Sequence, residues 1–238
     1  MTDRKENLLR VKERIAESAR LSDRQPDDVT LIAVSKTFPS SAITELASYG
    51  QIDFGENKVQ ELVSKHQLIG NEYANHPILW HFIGHLQRNK AKDIVGHCNL
   101  FHALDSSRLA RALDTRLKHA GQQLDCLIQV NVSGEASKFG LEPAEVDSFQ
   151  DEIAEFSHVR IRGFMTLASP SPDAERVRPQ FARLRHVLEA SLDRLLPDSR
   201  PILSMGMSGD FHVAIEEGAT HVRVGSAVFG PRSYGMTK

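Results

Sequence analysis

Lys36 follows the apolar run Leu31-Ile32-Ala33-Val34 and Ser35, and an amine held among apolar walls can attack an aldehyde carbon. Burial lowers the pKa of such an amine and frees its lone pair. The plainer reading of this segment alone is a lysine stem lying along apolar surface with its ammonium in water. Gly225-Ser226 follows a second apolar run. Glycine there lets backbone N–H groups approach a phosphate oxygen, and the serine hydroxyl adds a donor. Ser208, in GMSGD, could reach the same anion. A tight turn with a helix cap explains Gly225-Ser226 equally well. Arg223 sits between Val222 and Val224. If the valines face outward, its guanidinium points inward and needs an acceptor. A carboxylate on a neighbouring strand would serve, and so would the ring nitrogen of a bound heterocycle.

Asn57, His85, Asn131 and Thr166 also stand directly after apolar runs. His81 and His85 are four apart, but on a strand and its exit, so they do not share a helix face as metal ligands would. Trp80 reads as core. No H-E-x-x-H, G-x-S-x-G, Walker or G-x-G-x-x-G pattern is present.

These residues need a scaffold, and the chain alternates between two periods. Leu8, Val11, Ile15 and Ala19 predict an amphipathic opening helix. Strands are predicted at 30–35, 52–55, 79–84, 100–104, 124–132, 159–166, 202–205 and 221–225. Helices are predicted between them, including 58–69, 89–95, one ended by Gly121, and a long one carrying Phe181, Leu184, Leu188, Leu192 and Leu195. Eight strands alternating with helices predict a parallel sheet closed into a (β/α)₈ barrel, with an open doubly wound sheet as the rival. Barrel active sites lie at the C-terminal strand ends, where the candidate residues fall. No linker divides the chain, so residues 1–238 read as one domain.

Bulk properties narrow the function classes. Twenty-nine basic and 31 acidic residues leave a net charge of −2, which gives no nucleic-acid or anionic-membrane footprint. Arg88, Lys90 and Lys92 read as a solvated helix face. Cys98 and Cys126 form no C-x-x-C pair and suit a reducing compartment. The charged N-terminus lacks a signal peptide's apolar run, and a cytoplasmic location is expected.

Seven ordered segments carry a family resemblance: AVSKTFP at 33–39, FGENKVQE at 54–61, WHFIGHLQRNK at 80–90, VNVSGEASKFGL at 130–141, RGFM at 162–165, LSMGMSGDF at 203–211 and VRVGSAVFG at 222–230. Together they resemble the YggS/PROSC family of pyridoxal phosphate homeostasis proteins. The resemblance implies a barrel of the alanine-racemase N-terminal-domain type with an extra N-terminal helix. It also implies pyridoxal 5′-phosphate (PLP) held as an internal aldimine on Lys36. On the same footing Asn57 would line the pocket, Ser208, Gly225 and Ser226 would hold the phosphate, Arg223 would face the pyridine nitrogen, and Met165 and Met207 would flank the ring. Lys58 stands where many members have an aromatic residue, and Ser226 where threonine is frequent.

The resemblance implies a monomeric protein that stores PLP or delivers it to apo-enzymes, without physiological catalysis of its own. A small PLP-dependent racemase or decarboxylase is the alternative. Racemisation needs a base on each face of the carbanion, and Lys36 supplies only one. The added β domain that brings the opposite base in the racemases is expected to be absent. None of Tyr49, Tyr73 and Tyr234 has a motif that places it opposite Lys36. A third reading is a phosphate-binding barrel without PLP.

Overall fold

Apolar runs long enough to be buried on both faces become the strands of a parallel sheet. In the computed structural model, which describes residues 3–70, 78–135, 138–195 and 200–231, eight such runs close on themselves. They are β1 (Thr30–Val34), β2 (Asp53–Glu56), β3 (Leu79–Phe82), β4 (Leu100–Leu104), β5 (Leu124–Gln129), β6 (Val159–Met165), β7 (Ile202–Ser204) and β8 (His221–Val224). Each pairs parallel with the next, and β8 returns to β1 through Thr30–His221 and Ala33–Val224. The closed barrel excludes the open-sheet rival.

The expected strands are all present, each ending one to three residues early where its predicted end reached into a loop. The exceptions are β4, which has the expected bounds, and β2, which begins and ends one residue later than expected. Helices α1 (Arg4–Leu21), α2 (Ser40–Ala47), α3 (Val59–Ile69), α4 (Ala91–Ile94), α5 (Ser107–Ala120), α6 (Val146–Ile153), α7 (Arg178–Ala190), α8 (Phe211–Glu216) and α9 (Ser226–Phe229) follow the expected alternation. Two helices are shorter than their apolar pattern. The 89–95 stretch divides into a 3₁₀ turn at Arg88–Lys90 and α4. The long helix stops at Ala190, where Ser191 leaves helical geometry; Leu192 is consequently exposed, while Phe181 and Leu184 remain in the core.

Helix α1 buries Leu8, Val11, Ile15 and Ala19 against α8 and α9. The Arg14 guanidinium lies 4.7 Å from the Phe211 ring centre, and Asn7 donates to the Val228 carbonyl at 3.3 Å. Helix α5 ends at Gly121, whose positive φ of 63° is the left-handed C-terminal stop that glycine adopts without strain. Trp80 is buried as expected. No helix among the described residues is long and apolar enough to cross a membrane, and none of their side chains cluster as metal ligands.

The barrel interior departs from the usual filling of branched aliphatic side chains. Five of its inward positions are His81, His102, Ser204, His221 and Arg223, and all except the half-buried His221 are nearly sealed from water. Arg223 does point inward between outward valines, as its alternation predicts.

Candidate functional site

The turn after β1 presents Lys36, half-buried, and the residues on either side of it are held by side chains from β2 and α3. Ser35 donates its hydroxyl to Glu56 Oε1 at 2.6 Å and its N–H to the Gly55 carbonyl at 3.0 Å. The Ser35 carbonyl accepts from Lys65 Nζ at 2.9 Å. Thr37 takes a left-handed φ of 69°, uncommon for a threonine, and its N–H donates to Glu61 Oε2 at 2.8 Å. Lys65 also bonds Glu56 Oε1 at 2.7 Å and Glu61 Oε2 at 3.0 Å. Burial raises the Glu56 carboxyl above its ordinary pKa, against the opposing pull of Lys65 and Ser35.

Lys36 opens onto a cavity of about 480 Å³ at the C-terminal ends of the strands. Its floor is Arg223 and Gln129, and one wall carries Asn57, Ile83 and Gly84. The facing wall is Met207, Ser208, Gly209, Gly225 and Ser226, with His85, Phe139 and Leu167 at the rim. His85 stacks on Phe139 with ring centres 4.1 Å apart and approaches Asp105 at 3.4 Å. A Cβ at Gly84 would lie 2.1 Å from the Asn57 carbonyl oxygen, so only glycine lets the β3 exit approach Asn57. The volume is within the range of small-molecule sites.

Two features suit an anionic heterocycle. The Ser208 and Ser226 hydroxyls converge to 3.3 Å beside Gly209 and Gly225, a set of neutral donors that matches a phosphate. Arg223 lies at the buried end of the cavity. Its acceptors are the Ser204 hydroxyl and the Thr166 carbonyl, each at 2.7 Å. The neighbouring-strand carboxylate considered for it is therefore not its partner. Burial pushes the guanidinium down to about 10, opposed by Asp210, so it stays cationic at neutral pH.

The structure thus brings together Lys36, Asn57, Met207, Ser208, Arg223, Gly225 and Ser226 from the ends of β1, β2, β7 and β8. Met165 is fully buried at the end of β6 and does not line the cavity. Thr166 acts through its backbone, while its hydroxyl donates to the Val130 carbonyl. Asn131 organises the following loop by accepting from the Ser133 hydroxyl at 2.9 Å. Tyr49 lies exposed at the end of α2 beneath Lys5, away from the cavity. Tyr73 and Tyr234 fall outside the described residues.

Sequence reasoning missed the Glu56–Lys65–Glu61 brace and the cavity residues Gln129, Phe139 and Leu167. Lys65 carried a signal: it stands on the apolar stripe of α3 between Leu62 and Ile69, where a lysine needs a buried partner.

Comparison with known proteins places this geometry among relatives. Residues 7–233 match the family model described as alanine racemase, N-terminal domain. A pyridoxal phosphate homeostasis protein of Pseudomonas aeruginosa is 41% identical over 97% of this chain and 96% of its own. PipY of Synechococcus elongatus, solved with PLP bound, superposes with a TM-score of 0.77 at 37% identity, covering 91% of this chain and all of that one. An alanine racemase from Corynebacterium glutamicum shares the fold at 15% identity with a TM-score of 0.66, and this chain spans 62% of its length.

Proposed function

The chain belongs to the pyridoxal phosphate homeostasis proteins of the alanine racemase N-terminal domain family, and on that premise we propose that it holds PLP through Lys36 for storage or delivery. It is a PLP-binding protein of vitamin B6 homeostasis rather than an enzyme of amino-acid turnover, a reading supported by relatives named pyridoxal phosphate homeostasis proteins and by the similar PipY solved with PLP bound. The observation that supports the assignment to Lys36 is the cavity itself, which is lined together by the Lys36 amine, the paired Ser208 and Ser226 hydroxyls and the buried Arg223.

When bound, the cofactor supplies an aldehyde for a Schiff base and a ring able to delocalise negative charge. The residues of the chain do the rest. Ser208, Ser226 and Gly225 would hold the phosphate, and Asn57 and Met207 would flank the ring. Arg223 keeps its proton at neutral pH and would donate toward the ring nitrogen, which would leave that nitrogen unprotonated and disfavour carbanion chemistry. No tyrosine among the described residues lines the cavity as a second base. The rim is open beside the exposed Ser226, which favours exchange over exclusion of water.

On this reading the protein is a cytoplasmic monomer whose recipients are apo PLP-dependent enzymes; the free thiols Cys98 and Cys126 suit that compartment. The test is to add PLP-loaded protein to an apo-enzyme and follow recovery of activity, while assaying the loaded protein for racemisation. Transfer with negligible turnover is expected. Steady Lys36-dependent racemase or decarboxylase activity would establish the enzyme reading instead.

A further inference from the structure

A line of polar side chains crosses the barrel core beneath the cavity. Arg223 Nη1 donates to Ser204 Oγ at 2.7 Å. Ser204 Oγ lies 2.9 Å from His102 Nδ1, His102 Nε2 lies 3.0 Å from His81 Nδ1, and His81 Nε2 lies 2.9 Å from Asp53 Oδ1. The five residues come from β8, β7, β4, β3 and β2. Asp53 begins β2, roughly 10 Å below Glu56 at the strand rise of an extended chain, and it lines a separate cavity at the other end of the barrel.

The proton positions follow from the chemistry of the ends. A carboxylate only accepts, so His81 Nε2 carries a hydrogen. His102, held neutral by burial, accepts at Nδ1 and therefore donates from Nε2 to His81 Nδ1. Ser204 must donate to His102 Nδ1, and its lone pair receives the Arg223 hydrogen. Each interior member, Ser204, His102 and His81, both donates and accepts, Arg223 only donates and Asp53 only accepts, so all the bonds run in one direction. The reverse order fails at both termini, because a guanidinium has nothing to accept with.

We propose that Asp53, His81, His102 and Ser204 form a directed hydrogen-bond chain that positions Arg223 for the cofactor and relays the Asp53 charge to it. The inference deepens the PLP reading and rests on it. Aligned bonds in a low-dielectric core polarise one another, so the acceptor offered to Arg223 is stronger than an isolated serine. Neutral imidazoles are required. Burial holds His102 well below its ordinary pKa, with His81, Arg223 and His221 acting in the same direction. His221, whose ring centre is 6.2 Å from that of His81, is pushed down to about 3.

Two measurements test it. In ligand-free protein, side-chain ¹⁵N NMR at neutral pH should show a protonated Nε2 and a bare Nδ1 on both His81 and His102; a protonated Nδ1 on either ring overturns the chain. In PLP titrations, Ser204→Ala should weaken binding roughly tenfold, the loss of about one charge-assisted hydrogen bond, and move the absorption maximum of bound cofactor. Asp53→Asn should move the same maximum from the far end of the barrel. Wild-type affinity and spectrum in both variants would overturn the positioning role. If wild-type protein binds no PLP, the cofactor reading falls, while the ring-nitrogen pattern still decides the chain.

Discussion

The Lys65 ammonium and the Glu56 carboxylate, 2.7 Å apart with side chains 9% and 0% exposed, brace the turn that presents Lys36. Their shared partner is Ser35, which gives its carbonyl to Lys65 and its hydroxyl to Glu56. The second oxygen, Glu56 Oε2, is buried with no protein partner among the described residues. Removing one member of such a pair strands the other charge. Lys65→Met is therefore expected to destabilise the fold by about 3–5 kcal/mol in chemical denaturation.

The same pair predicts a pH dependence. Burial is the largest influence on Glu56 and raises its folded pKa above the ordinary 4.5. Its contribution to stability is then fully present below the unfolded value and is lost as pH rises through the folded value. Glu56→Gln removes that component. The stability of the variant relative to wild type should increase as pH rises through the folded pKa, measured by denaturant titration across the acidic to neutral range. A constant difference would contradict it.

Ser208 and Ser226 should act on the phosphate alone. Replacing both with alanine is expected to weaken PLP binding by about 2 kcal/mol, near 1 kcal/mol for each net hydrogen bond. Pyridoxal, which lacks the phosphate, should bind the variant and wild type equally. Equal losses for both ligands would place the phosphate elsewhere.

Arg223→Glu replaces a donor with an acceptor at the deep end of the cavity. The carboxyl should favour a protonated ring nitrogen, so the absorption of bound PLP should shift. An unchanged spectrum would argue against contact between Arg223 and the ring.

Gly84→Ala sets a methyl group 2.1 Å from the Asn57 carbonyl oxygen. The backbone must move, at about 1–3 kcal/mol for overpacking of this kind, and Asn57 moves with it. Reduced PLP affinity together with a lowered melting temperature is the expected result in thermal and binding assays.

The barrel was legible because parallel strands buried on both faces write continuous apolar runs, and because glycines such as Gly121 mark helix ends. Residues at the strand exits could be placed at the mouth for the same reason. What could not be read were partners across the barrel. Arg223 was expected to want an acceptor, yet a hydroxyl on β7 and a carbonyl after β6 satisfy it, and both depend on strand stagger. Met165 carries a family motif, but the sequence does not reveal that its side chain stays in the core. His102 looks like an ordinary strand residue until burial gives it partners, whereas Lys65 stands out only as a lysine on the apolar stripe of α3.

The central claim is the covalent attachment of PLP at Lys36, and borohydride reduction of PLP-loaded protein followed by peptide mass mapping tests it directly. The account predicts a pyridoxyl adduct on Lys36 and loss of the Schiff-base absorbance in Lys36→Ala. An adduct on another lysine, or retention of that band in the variant, would contradict it.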